Sequence, residues 1–200
     1  MKHPKFTNLI MSACMVALAT IGAIGQQAES SYDLTLQLVV GSNEAGAKTE
    51  MPSSLDQVAQ DLKSRFGFSG YRLANTIHSR IVDAGGAEYK SLANIFGETA
   101  DPMQPSFMEM SVVDLRNLSQ VKGAGMFQGR VFRFGAKVPV ATGGSFKDET
   151  GKARPITAYE HIGLTLTKFN VPESQPTLVG TLNLPGTNGT IFLVMTIKSA

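Results

Sequence analysis

The sequence predicts an α+β fold, mostly an antiparallel β sheet or sandwich of seven to eight strands, with one amphipathic helix near residues 53–66. Three observations carry this. The 20 glycines and 9 prolines fall between short apolar runs, which favours strands and turns over long helices. Several of those runs alternate apolar and polar residues, the period of a half-buried strand. A single stretch, Leu55 to Phe66, places its apolar residues three and four apart.

The first 25 residues stand outside the domain. Met1-Lys2-His3-Pro4-Lys5 is a basic leader, and Leu9 to Ile24 is a largely apolar run. Ala23-Ile24-Gly25 places small residues at the minus-three and minus-one positions, so the expectation is a signal peptide cleaved after Gly25. The apolar run is shorter than the roughly 20 residues of a spanning helix. The rival reading, a lipoprotein box with Cys14 acylated, leaves very little apolar sequence before the cysteine and an apolar tract after it. Residues 26–200 then form one strand-rich domain, exported to the periplasm, the envelope or beyond.

Cleavage changes the charge argument. The chain carries 18 basic and 16 acidic residues; without Lys2 and Lys5 the balance is 16 against 16. A neutral domain gives no reason to expect a nucleic-acid partner. Cys14 is the sole cysteine and leaves with the signal, so neither disulfide nor thiol chemistry is expected. About 175 residues suffice to bury a core without them.

The elements follow in order. Tyr32, Leu34, Leu36 and Leu38 alternate with polar residues and predict a strand to about Val40. Ser53 or Ser54 is placed to cap the helix, with Asp56 and Gln57 in its first turn. Leu55, Val58, Ala59, Leu62 and Phe66 form its apolar stripe, and Gly67 ends it. Tyr71, Leu73, Ile77 and Ile81 share one parity in a strand over 70–82. Residues 88–96 read either as its hairpin partner or as a short helix. Residues 106–115 form a strand with apolar residues at both parities. Residues 126–141 form a long strand, with Phe132, Phe134, Ala136, Val138 and Val140 on one face and Arg133 and Lys137 on the other. Residues 142–157, glycine-rich and charged, are the expected mobile loop. Three strands joined by polar turns, starting at Tyr159, Thr177 and Gly189, complete the core.

No catalytic constellation emerges. Residues 123–129 have glycines one residue too widely spaced for a dinucleotide fingerprint, and a strand follows them where a helix is required. Ser119-Gln120-Val121-Lys122 has the serine-acylase spacing but lies in a loop, without the Ser-Asp-Asn and Lys-Thr-Gly elements. His78 and His161 lack a second ligand at metal spacing, and both read as surface residues. Gly67-Phe68-Ser69-Gly70 fails as a nucleophile elbow. The loop carboxylates at 98, 101, 148 and 149 match no calcium pattern. The expectation is no catalytic residue, no metal and no cofactor.

One stretch carries a chemical signal. Between Leu115 and Lys147 there is no acidic residue, while Arg116, Lys122, Arg130, Arg133, Lys137 and Lys147 are basic. Phe127, Phe132, Phe134 and Phe146 are interleaved. Such a face suits an anionic polymer, lipid head groups or an acidic protein. The competing reading makes the phenylalanines core and lets Arg133 and Lys137 protect an exposed strand from edge pairing.

The segments LDQVAQDLKSRFGFSGYRL and TLVGTLNLPGTNGTIFLVMTIK resemble those of uncharacterised exported proteins of Gram-negative bacteria. The strands around IGLTLTKF also look distantly like the terminal β-region of secretins, without the repeated periplasmic domains of those gates. The resemblance implies an envelope accessory role and supplies no catalytic residue. Function is therefore expected to be non-enzymatic binding or assembly in the envelope, with an envelope protein or anionic polymer as partner. The alternatives are a loop-built hydrolase or carbohydrate-active enzyme, and an anionic-polymer binder acting through 115–147.

Overall fold

A computed structural model of the chain describes residues 30–44, 49–97, 104–118 and 125–200. The expected signal peptide, Cys14, the Ser119–Lys122 motif and the carboxylates at 98 and 101 lie outside the described residues. Among the described residues there are eight strands and one α-helix: β1 (Ser31–Ser42), α1 (Asp56–Phe66), β2 (Gly70–Val82), β3 (Gly85–Ala93), β4 (Ser106–Asn117), β5 (Met126–Lys147), β6 (Ala153–Pro172), β7 (Thr177–Asn183) and β8 (Thr190–Ser199). Every strand pair is antiparallel. The strands make two four-stranded sheets, a back sheet ordered β2-β1-β8-β7 and a front sheet ordered β3-β4-β5-β6. The predicted α+β class, an antiparallel sandwich with one helix, is what forms.

The core lies between the sheets. Leu34, Leu36 and Leu38 of β1 and Ile191, Leu193, Met195 and Ile197 of β8 meet Met108, Met110, Val112, Phe132, Phe134 and Val138 of the front sheet. A second, smaller cluster lies behind the back sheet. There Leu62 of α1 packs over Val39, Tyr71, Phe192 and Val194. The layers are therefore helix, back sheet, front sheet. Residues Ile191 to Met195 are all wholly buried, because β8 has core on one side and helix on the other.

The helix stripe folds as predicted, but neither serine caps it. Ser53–Leu55 forms a 3₁₀ turn, closed by Leu55 N–H donating to the Pro52 carbonyl at 2.8 Å. Gly67 ends α1 in the left-handed region at φ 68, with its N–H donating to the Lys63 carbonyl.

A β-bulge in β2 and an in-register kink across the front sheet account for the parities that differ from expectation. In β2 the register slips opposite Leu38/Val39, leaving Ala74 unpaired. Ile77 and Ile81 face the front sheet, whereas Tyr71 and Leu73 face α1, so the four do not share one face. In the front sheet the buried positions shift by one in three neighbouring strands. Val112 and Leu115, Gly129 and Phe132, and Leu166 and Phe169 lie on the same side of the sheet although three residues apart. Asp114, Arg130 and Lys168 stand in one row at these shifts. Asp114 and Lys168 adopt left-handed φ of 56 and 53. Gly129 belongs to this kink: a Cβ there would stand 2.2 Å from the Phe169 ring.

Three other expectations need correction. Residues 88–96 are neither a short helix nor a hairpin partner of β2; Gly85–Ala93 is a strand that crosses to the front sheet and pairs with β4. The three C-terminal strands are split, β6 in front and β7 and β8 behind. Residues 142–157 are not a loop: β5 runs to Lys147 and β6 starts at Ala153.

Two side chains tie β2 and β3 to the rest, one at the β2–β3 corner and one at the opposite end of these strands. The Tyr32 hydroxyl donates to Asp83 Oδ1 at 2.6 Å. The Arg72 guanidinium donates to the Asn94 and Ile95 carbonyls at 3.0 and 2.5 Å.

Two tests follow. Phe192 is wholly buried and touches the rings of Phe66, Phe68 and Tyr71. Phe192→Ala is expected to cost about 3–5 kcal/mol in urea unfolding. Burial and the Asp83 carboxylate push the Tyr32 hydroxyl pKa up to about 12, above the ordinary 10.0. A raised folded value means that this stabilisation is complete below pH 10 and is lost as pH rises toward 12. Unfolding midpoints measured across that window should fall, and Tyr32→Phe should flatten the fall.

Candidate functional site

The back sheet is covered on both faces where α1 docks; the front sheet has core behind it and, among the described residues, no element in front. Its outward positions are therefore polar, and the registers fix their arrangement. Glu88 of β3, Ser111 of β4, Arg133 of β5 and Thr165 of β6 form one row. Lys90, Glu109, Gly135 and Gly163 form the next, and Leu92, Phe107, Lys137 and His161 the third. Pro139 and Tyr159 follow on β5 and β6.

Two adjoining depressions lie over this array. A polar one of about 590 Å³ covers the first two rows and reaches His161. A more apolar one of about 620 Å³ lies over Leu92, Phe107, Ala136 and Lys137. Both are floored by Gly135. A Cβ at Gly135 would stand 3.0 Å from His161 Nε2 and 3.2 Å from Glu109 Oε1. The absent side chain thus lets the imidazole and the carboxylate approach to 3.9 Å across β5. Lys90 Nζ reaches the other Glu109 oxygen at 3.6 Å. Phe107 and Tyr159 are exposed, their ring centroids 6.0 Å apart, and the Tyr159 hydroxyl donates to the Pro105 carbonyl at 3.1 Å.

The basic stretch is divided by the fold. Arg116 and Arg130 both approach Asp114, at 2.7 and 3.7 Å. The Asp114 carboxylate holds the Arg116 guanidinium pKa above its ordinary value. Arg133 and Lys137 line the two depressions without an ion pair among the described residues. Lys147 is exposed at the far end of β5, and Lys122 lies outside the described residues. Of the interleaved phenylalanines, Phe127, Phe132 and Phe134 are core and Phe146 is exposed. The acid-free sequence becomes a mixed-charge face, because β3 and β4 bring Glu88, Glu109 and Asp114 alongside it. Exposed ion pairs of this kind stabilise by about 0–1 kcal/mol, so they shape the surface rather than hold the fold.

A serine–histidine pair does not assemble here. His161, Glu109 and Ser111 line the same polar depression. The register nevertheless sets Ser111 two strands across and four residues along from His161, about 16 Å by ordinary strand spacings. That exceeds the reach of a nucleophile–base hydrogen bond. His78 is exposed on the back sheet beside Thr35 Oγ1 at 3.1 Å, and its neighbour Asp33 is bound to Arg80 at 2.8 Å. No group of three or more His, Cys, Asp or Glu able to hold a metal occurs among the described residues.

Beyond Lys137, β5 no longer pairs with β4, and the β5–β6 ladder continues alone to Lys147 and Ala153. A free two-stranded arm is marginal on its own. Its turn is organised by Asp148, whose Oδ1 accepts from Thr150 N–H, Thr150 Oγ1 and Lys152 N–H at 3.0, 2.6 and 3.0 Å. Arg154 donates to Oδ2 at 2.8 Å. These donors, the Thr150 hydroxyl foremost and the Arg154 guanidinium next, hold the Asp148 carboxyl well below the usual carboxylate range.

Sequence reasoning singled out Arg133 and Lys137 and missed the rest of the array. A usable signal existed in Glu88, Lys90 and Leu92, which alternate outward from β3. The Gly135–Gly163 pair required the register. No helix among the described residues is long and apolar enough to cross a membrane.

A depressed folded pKa makes the Asp148 contribution complete above the ordinary carboxylate value of 3.8 and lost as pH falls below it. Amide exchange at Thr150 and Lys152 should therefore be slowed at pH 7. Asp148→Asn is expected to speed it there and to leave β1 and β8 unchanged.

No protein-family model matches the chain, and no curated protein matches it.

Proposed function

We propose that this is a non-enzymatic binding domain of the cell envelope that engages its partner through the outer face of the front sheet. The observation that carries the reading is the array itself. Three rows of side chains from four strands present donors, acceptors and an exposed aromatic pair over a glycine floor, with hydroxyl and imidazole too far apart to work together. Binding sites gather a few convergent polar groups in a concavity, and this face does so without a nucleophile–base pair. The envelope setting rests on the leader sequence, with its basic start, apolar run and small-residue cleavage site.

The test is sedimentation of the purified chain with isolated bacterial envelopes. Arg133→Ala combined with Thr165→Trp is expected to lower retention about tenfold, whereas Arg80→Trp on the back sheet leaves it unchanged. Both changes lie at exposed positions, so thermal unfolding should confirm an intact domain. Absence of envelope retention by the unaltered chain would remove the proposal, and equal loss from the back-sheet variant would remove the assignment to this face.

A further inference from the structure

We infer that the trough over Gly135 and Gly163 binds an acidic polysaccharide, with Arg133 and Lys137 holding its uronate carboxylates from the two sides. The inference rests on the front face being the binding face and adds the class of ligand.

Charge is the first ground. Arg116, Arg130 and Lys90 have carboxylates at 2.7, 3.7 and 3.6 Å. Arg133 and Lys137 are exposed on the same face and have none among the described residues. Four residues apart on one strand, their Cα atoms are about 13 Å apart, with the glycine of the middle row between them. A carboxylate placed beside the Glu109–His161 pair meets Arg133 on one side of it or Lys137 on the other, and the Arg133 fork suits it in particular.

The floor is the second ground. Gly135 and Gly163 are directly paired on β5 and β6, so neither strand raises a side chain in this row; the Glu109 and His161 side chains lean in over Gly135, which is buried, and Gly163 stays exposed at backbone level. A Cβ at Gly163 would stand 2.6 Å from the Phe134 carbonyl oxygen, so that position is closed to side chains. A flat ring can settle at the exposed Gly163 end and touch the backbone there.

The remaining features separate a sugar chain from other polyanions. Glu109 projects between the two cations, with Lys90 and His161 at 3.6 and 3.9 Å. It repels a densely charged chain such as polyphosphate and accepts hydrogen bonds from neutral hydroxyls. An extended peptide pairs with a sheet edge, and this is a sheet face, whose backbone groups are already used in the ladder. The exposed Phe107 and Tyr159 rings adjoin the trough and supply an apolar surface for the C–H face of a pyranose.

Hyaluronan, with a uronate on alternate sugars, is the probe, and affinity electrophoresis is the measurement. Dextran, polyphosphate and polyglutamate run as comparisons, at two salt concentrations. The unaltered chain should be retarded by hyaluronan, less so at higher salt, and not by dextran. Arg133→Gln with Lys137→Gln should weaken the interaction at least tenfold, and Phe107→Ala a few-fold. Arg116→Gln should change it less than twofold, because that guanidinium is already paired with Asp114. Equal retardation by dextran would overturn the role of the carboxylate. Stronger retardation by polyphosphate or polyglutamate would overturn the sugar. If hyaluronan leaves the chain unretarded while envelopes still retain it through this face, the ligand class is wrong and the binding face stands.

Discussion

The pairing of β1 with β8 holds both ends of the domain side by side in the middle of the back sheet. Ten residues of β1 are matched with β8, from Tyr32 opposite Ser199 to Gly41 opposite Thr190, and the Ala200 N–H donates to the Ser31 carbonyl. The layers on either side depend on this pair. Its inward parity, Leu34 to Val40 and Ile191 to Ile197, is the back wall of the main core. Its outward parity changes character along the strand. Asp33, Thr35 and Gln37 meet solvent, then Val39, Phe192 and Val194 receive α1. A short helix with one apolar stripe is unstable alone, and this is the surface that makes it stable.

Placing the helix behind one sheet leaves the front of the other open, and that asymmetry locates the candidate site. A sheet covered on one face alternates inward apolar with outward polar residues, so the front sheet presents a continuous polar array. Four strands contribute to it from Glu88 to Thr165, residues that no local motif links. Cross-strand neighbours set its electrostatics. Asp114 draws in Arg116 and Arg130 at the kinked end, and Glu109 takes Lys90 and His161 in the middle. Arg133 stands between these two acidic centres and Lys137 beyond the second, both on the strand that carries no acid. The kinked row contributes by turning the far end of the strands, so Arg130 and Asp114 point outward although the parity of β5 reverses there.

Much of the architecture was legible in the residues. Leu34, Leu36 and Leu38, the stripe from Leu55 to Phe66, the left-handed stop at Gly67 and the inward phenylalanines of β5 each followed from period and composition. Parity predictions failed at bulges, as at Ala74 in β2, because one unpaired residue inverts every later side chain and leaves no mark on local composition. The arm at 142–157 looked like a loop for its glycines and charges, yet Asp148 organises its turn and the ladder continues through it.

The candidate site was legible only in part. An acid-free run marked Arg133 and Lys137, but the same run also marked Arg116 and Arg130, whose charges Asp114 offsets. By itself the sequence determined the strand-rich class and the one helix. Tertiary structure decided which strands share a sheet, that β6 parts from β7 and β8, and that Gly135 lies beside Gly163 between Arg133 and Lys137, which have no ion pair among the described residues. The physical reason is that hydrophobic period is a local property of the chain. Register and strand order are set instead by how distant segments bury their apolar faces together.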